Sequence, residues 1–262
     1  MSMQIIKAFP ERSRIPVPDE KGQVLNVSEF YCDTIQGEGF YIGYPAVFLR
    51  LQGCILNCTY CDSTEVWRAG NPYSFDELFQ MIEKHNLIPK FKEGTHLVIT
   101  GGSPLLQQSN LVGFFKEFKR RSNGFLPFIE VENECVITPS PELIYCVSCW
   151  NNSPKLSSSG ISKKARYRPD IIKKMSRITP LSWSIDSWFK FVIGEEEDWE
   201  EILIDFLDPE LIRKNQIILM PLGATRQELY RNQKMVAELA IKHNVKYCSR
   251  EHIVLWDKNV GV

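Results

Sequence analysis

No stretch of this 262-residue sequence approaches the ~20 consecutive apolar residues that a membrane span requires, and its first residues lack the charged-then-apolar order of a secretory signal. Neither a membrane partner nor export is expected. Excess charge is missing too: 31 Lys and Arg face 32 Asp and Glu, a net charge of −1, so no basic field is available to hold a polynucleotide. Nucleic acid is therefore not an expected partner. Without an export signal, the 8 cysteines are expected to stay reduced, which places the protein in the cytoplasm. The 44% hydrophobic content suffices for one sizeable core. A single domain is expected over residues 24–262, preceded by an arm, 1–23, in which Pro10, Pro16 and Pro18 block regular helix.

The thiols are unevenly spread. Cys54, Cys58 and Cys61 stand in C-x3-C-x2-C order, directly after the apolar stretch of residues 46–51. Thiolates are soft ligands, and three on one tight loop can hold three irons of a 4Fe-4S cluster while the fourth iron has no protein ligand. A disulfide would leave one thiol over. Structural zinc would want a fourth ligand at short spacing, and the next histidine downstream is His85. Cys146 and Cys149, with Cys135 nearby, raise a second cluster or zinc; residues 143–150 read as a strand, which spreads such side chains, so buried thiols are the simpler account.

Hydrophobic patterning alternates strands with helices. Strands are expected over residues 24–31, 46–51, 95–100, 125–131, 188–193, 216–220 and 245–248, and helices over 109–122, 163–176 with a break at Pro169, and 225–243. Ser74 with Glu77, and Thr225 with Glu228, read as capping boxes. This alternation predicts an α/β fold, a partial open (β/α) barrel of about six parallel strands, with ligand loops at the C-terminal strand ends. Arg50 is an anomaly in its apolar strand, either snorkelling at an edge or offering a planar fork to a carboxylate in a pocket. Either Glu130 or Glu132 is expected to face a pocket. Residues 157–162 read as a flexible serine-rich loop. His252 suits a general base and a structural histidine equally well.

The three-cysteine loop resembles the signature of radical S-adenosylmethionine enzymes, in which the open iron chelates the amino and carboxylate groups of the cofactor's methionine part. Its flanks narrow the resemblance: Thr34-Ile35-Gln36-Gly37-Glu38-Gly39, the run from Pro45 to Gly53, Asp62-Ser63, Thr100-Gly101-Gly102-Ser103-Pro104, Asn152-Ser153-Pro154-Lys155-Leu156 and His252-Ile253-Val254-Leu255-Trp256. In this order they resemble the 7-carboxy-7-deazaguanine synthase family across nearly the whole chain.

The resemblance implies a lyase that converts 6-carboxy-5,6,7,8-tetrahydropterin to 7-carboxy-7-deazaguanine with loss of ammonia, in queuosine-type 7-deazapurine biosynthesis. It implies a 4Fe-4S cluster on Cys54, Cys58 and Cys61, S-adenosylmethionine and Mg2+ as cofactors, an external electron donor such as a flavodoxin, and a homodimer. Substrate contacts are implied for Ile35, Gln36, Gly37, Arg50, Thr100 and Val262. Cofactor contacts are implied for Tyr60, Cys61, Asp62, Gly102, Ser153, Pro154, Lys155, Met220, Pro221, Leu222 and Gly223, and Mg2+ for Ser63. No protein acid or base is implied, because the chemistry is radical. The nearest rivals are another radical S-adenosylmethionine enzyme, such as a glycyl-radical activase, and a non-catalytic zinc or iron–sulfur module. Two departures stand out. Ser103 occupies a position where many members of the superfamily carry Glu, which removes a carboxylate from beside the cofactor, and Asn133-Glu134-Cys135 lacks a glycine common in relatives.

Overall fold

The computed structural model describes residues 3–7, 23–178 and 186–257. Its strands are β1 (Met3–Lys7), β2 (Val24–Ile35), β3 (Pro45–Leu51), β4 (Asn71–Ser74), β5 (His96–Gly101), β6 (Ile129–Asn133), β7 (Cys149–Asn152), β8 (Asp186–Ile193), β9 (Ile217–Pro221) and β10 (Lys246–Tyr247). All belong to one open sheet in the order β1-β2-β3-β5-β6-β7-β8-β9-β10, with β4 pairing β2 off that path. From β3 to β10 the path is parallel, seven strands rather than about six; β1, β2 and β4 add an antiparallel extension.

The helices are α1 (Thr64–Arg68), α2 (Phe75–Lys84), α3 (Leu87–Lys92), α4 (Gln108–Arg121), α5 (Pro141–Ile144), α6 (Lys163–Arg166), α7 (Pro169–Ser176), α8 (Asp198–Ile202), α9 (Arg226–His243) and α10 (Glu251–Trp256). Helix α2 begins at a capping box in which Ser74 Oγ accepts from Glu77 N and Glu77 returns the bond to Ser74 N. At α9 only half the box forms: Thr225 Oγ1 accepts from Glu228 N at 3.1 Å, but the Glu228 carboxylate turns to Ala224 N at 2.7 Å. The helix expected over 163–176 divides into α6 and α7, with Pro169 opening the second at a position where its missing N–H costs nothing.

Side-chain alternation sorts the sheet into two faces. Val47, Leu49, Leu51, Leu97, Ile99, Ile129, Val131, Phe189, Phe191 and Leu219 join the main apolar core beneath the helices. In that core the rings of Phe79 and Phe114 stack at 5.2 Å, and Phe118 meets Phe79 at 5.6 Å and Phe91 at 6.0 Å. The opposite face carries Phe48, Arg50, Val98, Thr100, Glu130, Glu132, Lys190 and Met220. That face is mixed in polarity, and the functional groups stand on it.

Met3–Lys7, within the stretch expected as an arm, forms a regular edge strand, antiparallel to β2. Two expectations are corrected here. Residues 143–150 are not one strand: Ser140 caps α5 by accepting from Leu143 N at 3.2 Å, Pro141 opens it, and β7 starts only at Cys149. The Ser-Pro start outweighs the apolar run. The serine-rich segment is not a loose loop, since Ser157–Ser159 form a 3-10 turn with Ser159 fully buried.

Candidate active site

Three cysteines leave β3 on a loop pinned from several sides. Gly53 N donates to Trp67 O at 2.9 Å, and Gly53 O accepts from Ser103 N at 2.8 Å, tying the loop's base to α1 and to the turn after β5. On the outer side, Thr59 N and Oγ1 both donate to Ser159 O, at 3.0 and 3.2 Å. Donors are aimed at the sulfurs themselves. Cys54 Sγ receives Leu56 N at 3.4 Å and the Ser103 hydroxyl at 3.8 Å; Cys61 Sγ receives Trp67 Nε1 at 3.5 Å and lies 3.7 Å from Ser63 Oγ. Burial would raise the Cys61 thiol, but bonds from Thr64, Trp67 and Ser63 outweigh it and bring the thiol below its ordinary value. Burial pushes Cys58 up against the pull of Lys155, and the neighbouring Cys54 and Cys61 add to the rise.

This donor set fits a cluster better than a single ion. The three thiols are free and line one cavity, while among the described residues no three His, Cys, Asp or Glu side chains converge on a point as one zinc ion demands. Three thiolates could hold an iron–sulfur cluster, and two of them, Cys54 and Cys61, have N–H or O–H groups beside the sulfur. Cys135 and Cys149 are fully buried, Cys146 is half-buried, and all three are free.

The cavity, about 510 Å³, opens at the C-terminal ends of the parallel strands. It brings together Ile35, Gln36, Gly37, Arg50, Cys54, Cys58, Tyr60, Cys61, Asp62, Ser63, Thr100, Gly102, Ser153, Lys155, Met220 and Leu222 of the expected set. Pro154, Pro221 and Gly223 are not in its lining, though each stands between residues that are. Val262 lies outside the described residues.

Arg50 sits in the interior of the sheet, between β2 and β5, so the edge alternative fails. Its Nε pairs with Glu29 at 2.9 Å, a carboxylate of the protein itself, and the Tyr31 side chain stands beside its guanidinium. Of the two glutamates on β6, Glu132 faces the cavity and accepts from Thr100 Oγ1 at 2.6 Å. Glu130 lies deeper, where it holds His96 Nδ1 at 2.7 Å, Asn151 Nδ2 at 2.7 Å and Gln36 Nε2 at 3.2 Å.

Several lining residues escaped the sequence reading: Glu29, Tyr31, Glu38, Lys190 and Arg250. Lys190 carried a signal, a cation amid the apolar residues of β8, of the same kind that singled out Arg50. Glu38 joins distant parts of the chain by accepting from Lys190 and from Arg250 Nε at 2.8 Å; Arg250 also reaches Asp62 and the Gly223 carbonyl at 2.6 Å. Burial alone would raise the Glu38 carboxyl, yet Lys190, Arg250 and His252 together hold it well below the ordinary range. His252 is pushed down by burial, partly opposed by Glu38, and its ring packs where a Cβ on Gly37 would fall 2.2 Å from Nδ1.

An open α/β sheet with three free thiols and a polar, charge-paired cavity at one end defines an enzyme built around an iron–sulfur group. Residues 35–126 match the family described as 4Fe-4S single cluster domain. The 7-carboxy-7-deazaguanine synthase of Pyrobaculum aerophilum is 31% identical over 239 residues, covering 90% of this chain and 97% of that protein. The enzyme of the same name from Halobacterium salinarum is 27% identical over 252 residues, covering 90% and 92%. The crystal structure of QueE from Escherichia coli superposes with a TM-score of 0.61 at 21% identity, covering 87% of this chain and 95% of that one. The chain belongs to the 7-carboxy-7-deazaguanine synthase family.

Proposed function

We propose that this protein is a radical S-adenosylmethionine lyase that converts 6-carboxy-5,6,7,8-tetrahydropterin to 7-carboxy-7-deazaguanine with loss of ammonia, in 7-deazapurine biosynthesis. The observation that carries the reading is that three free thiols, Arg50, Thr100 and Gln36, from separate stretches of sequence, line one cavity. Cys54, Cys58 and Cys61 would hold a 4Fe-4S cluster, which with S-adenosylmethionine would supply the radical chemistry of the reaction.

The chain's own residues bind and orient. Arg50, steadied by Glu29, offers its guanidinium to the pterin carboxylate. Thr100, aimed by Glu132, and Gln36, aimed by Glu130, address the ring. Ile35 and Gly37 complete the substrate contacts. Tyr60, Cys61, Asp62, Gly102, Ser153-Pro154-Lys155 and Met220-Pro221-Leu222-Gly223 hold the cofactor. Ser63 takes Mg2+ once substrate completes the shell, since one hydroxyl is a weak ligand.

The fold is read as a partial open barrel of the radical S-adenosylmethionine type, in one domain over residues 24–262. A cytoplasmic setting is part of the proposal; among the described residues no helix is long and apolar enough to cross a membrane. An external reductant such as a flavodoxin and a homodimeric state complete the proposal.

Anaerobic reconstitution tests it. The expected result is about four irons per chain and, with reductant, S-adenosylmethionine and the carboxypterin, a product with the mass of 7-carboxy-7-deazaguanine. Stoichiometric zinc, or cofactor cleavage without that product, would overturn it. Cys58→Ala should retain less iron and form no product.

A further inference from the structure

Six carboxylates line the cavity, and five have donors: Glu29 takes Arg50, Glu38 takes Lys190 and Arg250, Asp62 takes Arg250, Glu132 takes Thr100, and Asp257 takes Arg226 N at 2.9 Å. Glu134 is the exception. It is 5% exposed, and neither of its oxygens has a hydrogen-bond partner. A carboxylate buried this way is costly unless a donor, best a cationic one, is brought to it.

The surroundings say where that donor comes from. The Ser103 hydroxyl accepts from Ile55 N at 3.1 Å and is turned toward Cys54 Sγ. Burial raises the Glu134 carboxyl, and Ser103 and Lys155 only partly offset that rise. Lys155 Nζ donates to Ser153 Oγ at 2.9 Å. Glu134 thus faces the cavity beside the thiol loop, next to a turn where a carboxylate is replaced by Ser103. The next residue, Cys135, has a φ of 63°, a left-handed turn that a glycine would make more easily. Asn133 Oδ1 secures that turn by accepting from Cys135 N at 3.2 Å.

We infer that Glu134 is a cofactor-binding residue, its carboxylate accepting hydrogen bonds from the amino group of the methionine part of S-adenosylmethionine in place of the acid absent at position 103. This rests on the proposed use of that cofactor. The loop after β6 then supplies from a neighbouring strand the charge that the loop after β5 lacks. Such a bond is charge-assisted, so its loss costs affinity on the order of tenfold or more.

The test is equilibrium dialysis of the reconstituted, oxidised protein with two ligands, S-adenosylmethionine and the analogue bearing hydrogen in place of the amino group. Wild type should prefer the natural cofactor. Glu134→Gln, with iron content unchanged, should weaken S-adenosylmethionine by about tenfold or more while scarcely altering the analogue, and the transposed pair Ser103→Glu with Glu134→Ser should recover both affinity and preference. Equal loss for both ligands would mean that Glu134 only orders Lys155 or the loop, and unchanged affinity would mean that it does neither; each overturns the inference. If wild type binds no S-adenosylmethionine at all, the functional reading itself fails first.

Discussion

Glu38 is the residue through which the cavity's far wall is tied to its mouth. Its carboxylate meets Lys190 on β8 and Arg250 before α10, side chains only 6% and 12% exposed. Removing one member of a buried ion group leaves the others charged without a counter-ion, a loss of about 3 kcal/mol or more. Glu38→Gln is therefore expected to lower the midpoint of chemical denaturation clearly, even before any cluster is installed. An exposed pair such as Lys234 with Glu238 should contribute almost nothing by the same measurement. Arg50 and Lys190 show why charged residues in apolar strands repay attention: each stands on the cavity face, and each is matched to a glutamate distant in sequence.

Elements, not single residues, shape the thiol loop. The turn after β5 lies so close to it that a Cβ on Gly102 would fall 2.3 Å from Cys54 Cβ and 2.4 Å from the Gly53 carbonyl oxygen. Backbone cannot yield as a flexible side chain can, so Gly102→Ala should displace Cys54 and reduce iron uptake on reconstitution, read as iron per chain, with the secondary structure intact. Helix α4 illustrates a different kind of dependence. Its residues Phe114 and Phe118 are buried among Phe79 and Phe91, and Phe114→Ala should cost about 3–5 kcal/mol of stability by opening a cavity there. This helix was legible from its stripe of apolar residues, to within a residue at each end. The strand expected over 143–150 was not, because a short apolar run fits either element and the Ser140-Pro141 start decides for a helix.

At the scale of the whole molecule, acid should be the destabilising direction. A carboxyl held below its ordinary value of 4.5, as Glu38 is, adds stability that is complete above that pH and lost as pH falls below it. The depressed His252 acts in the same direction: its contribution is complete above 6.5 and erodes as pH drops beneath that value. Thermal denaturation of the cluster-free chain should thus give a midpoint that declines as pH falls below 6.5 and declines again below 4.5, the second decline being weaker in Glu38→Gln. Local order along the chain determined a good deal by itself: alternating apolar patterns marked most of the strands and helices, and C-x3-C-x2-C named the group to be bound, because hydrophobic period and ligand spacing are properties of neighbouring residues. Which carboxylate meets which cation was settled only in three dimensions. Glu38 and Arg250, or Glu29 and Arg50, become partners because the parallel sheet carries remote segments to one mouth, and no local pattern encodes a distance that the intervening chain must first fold to create.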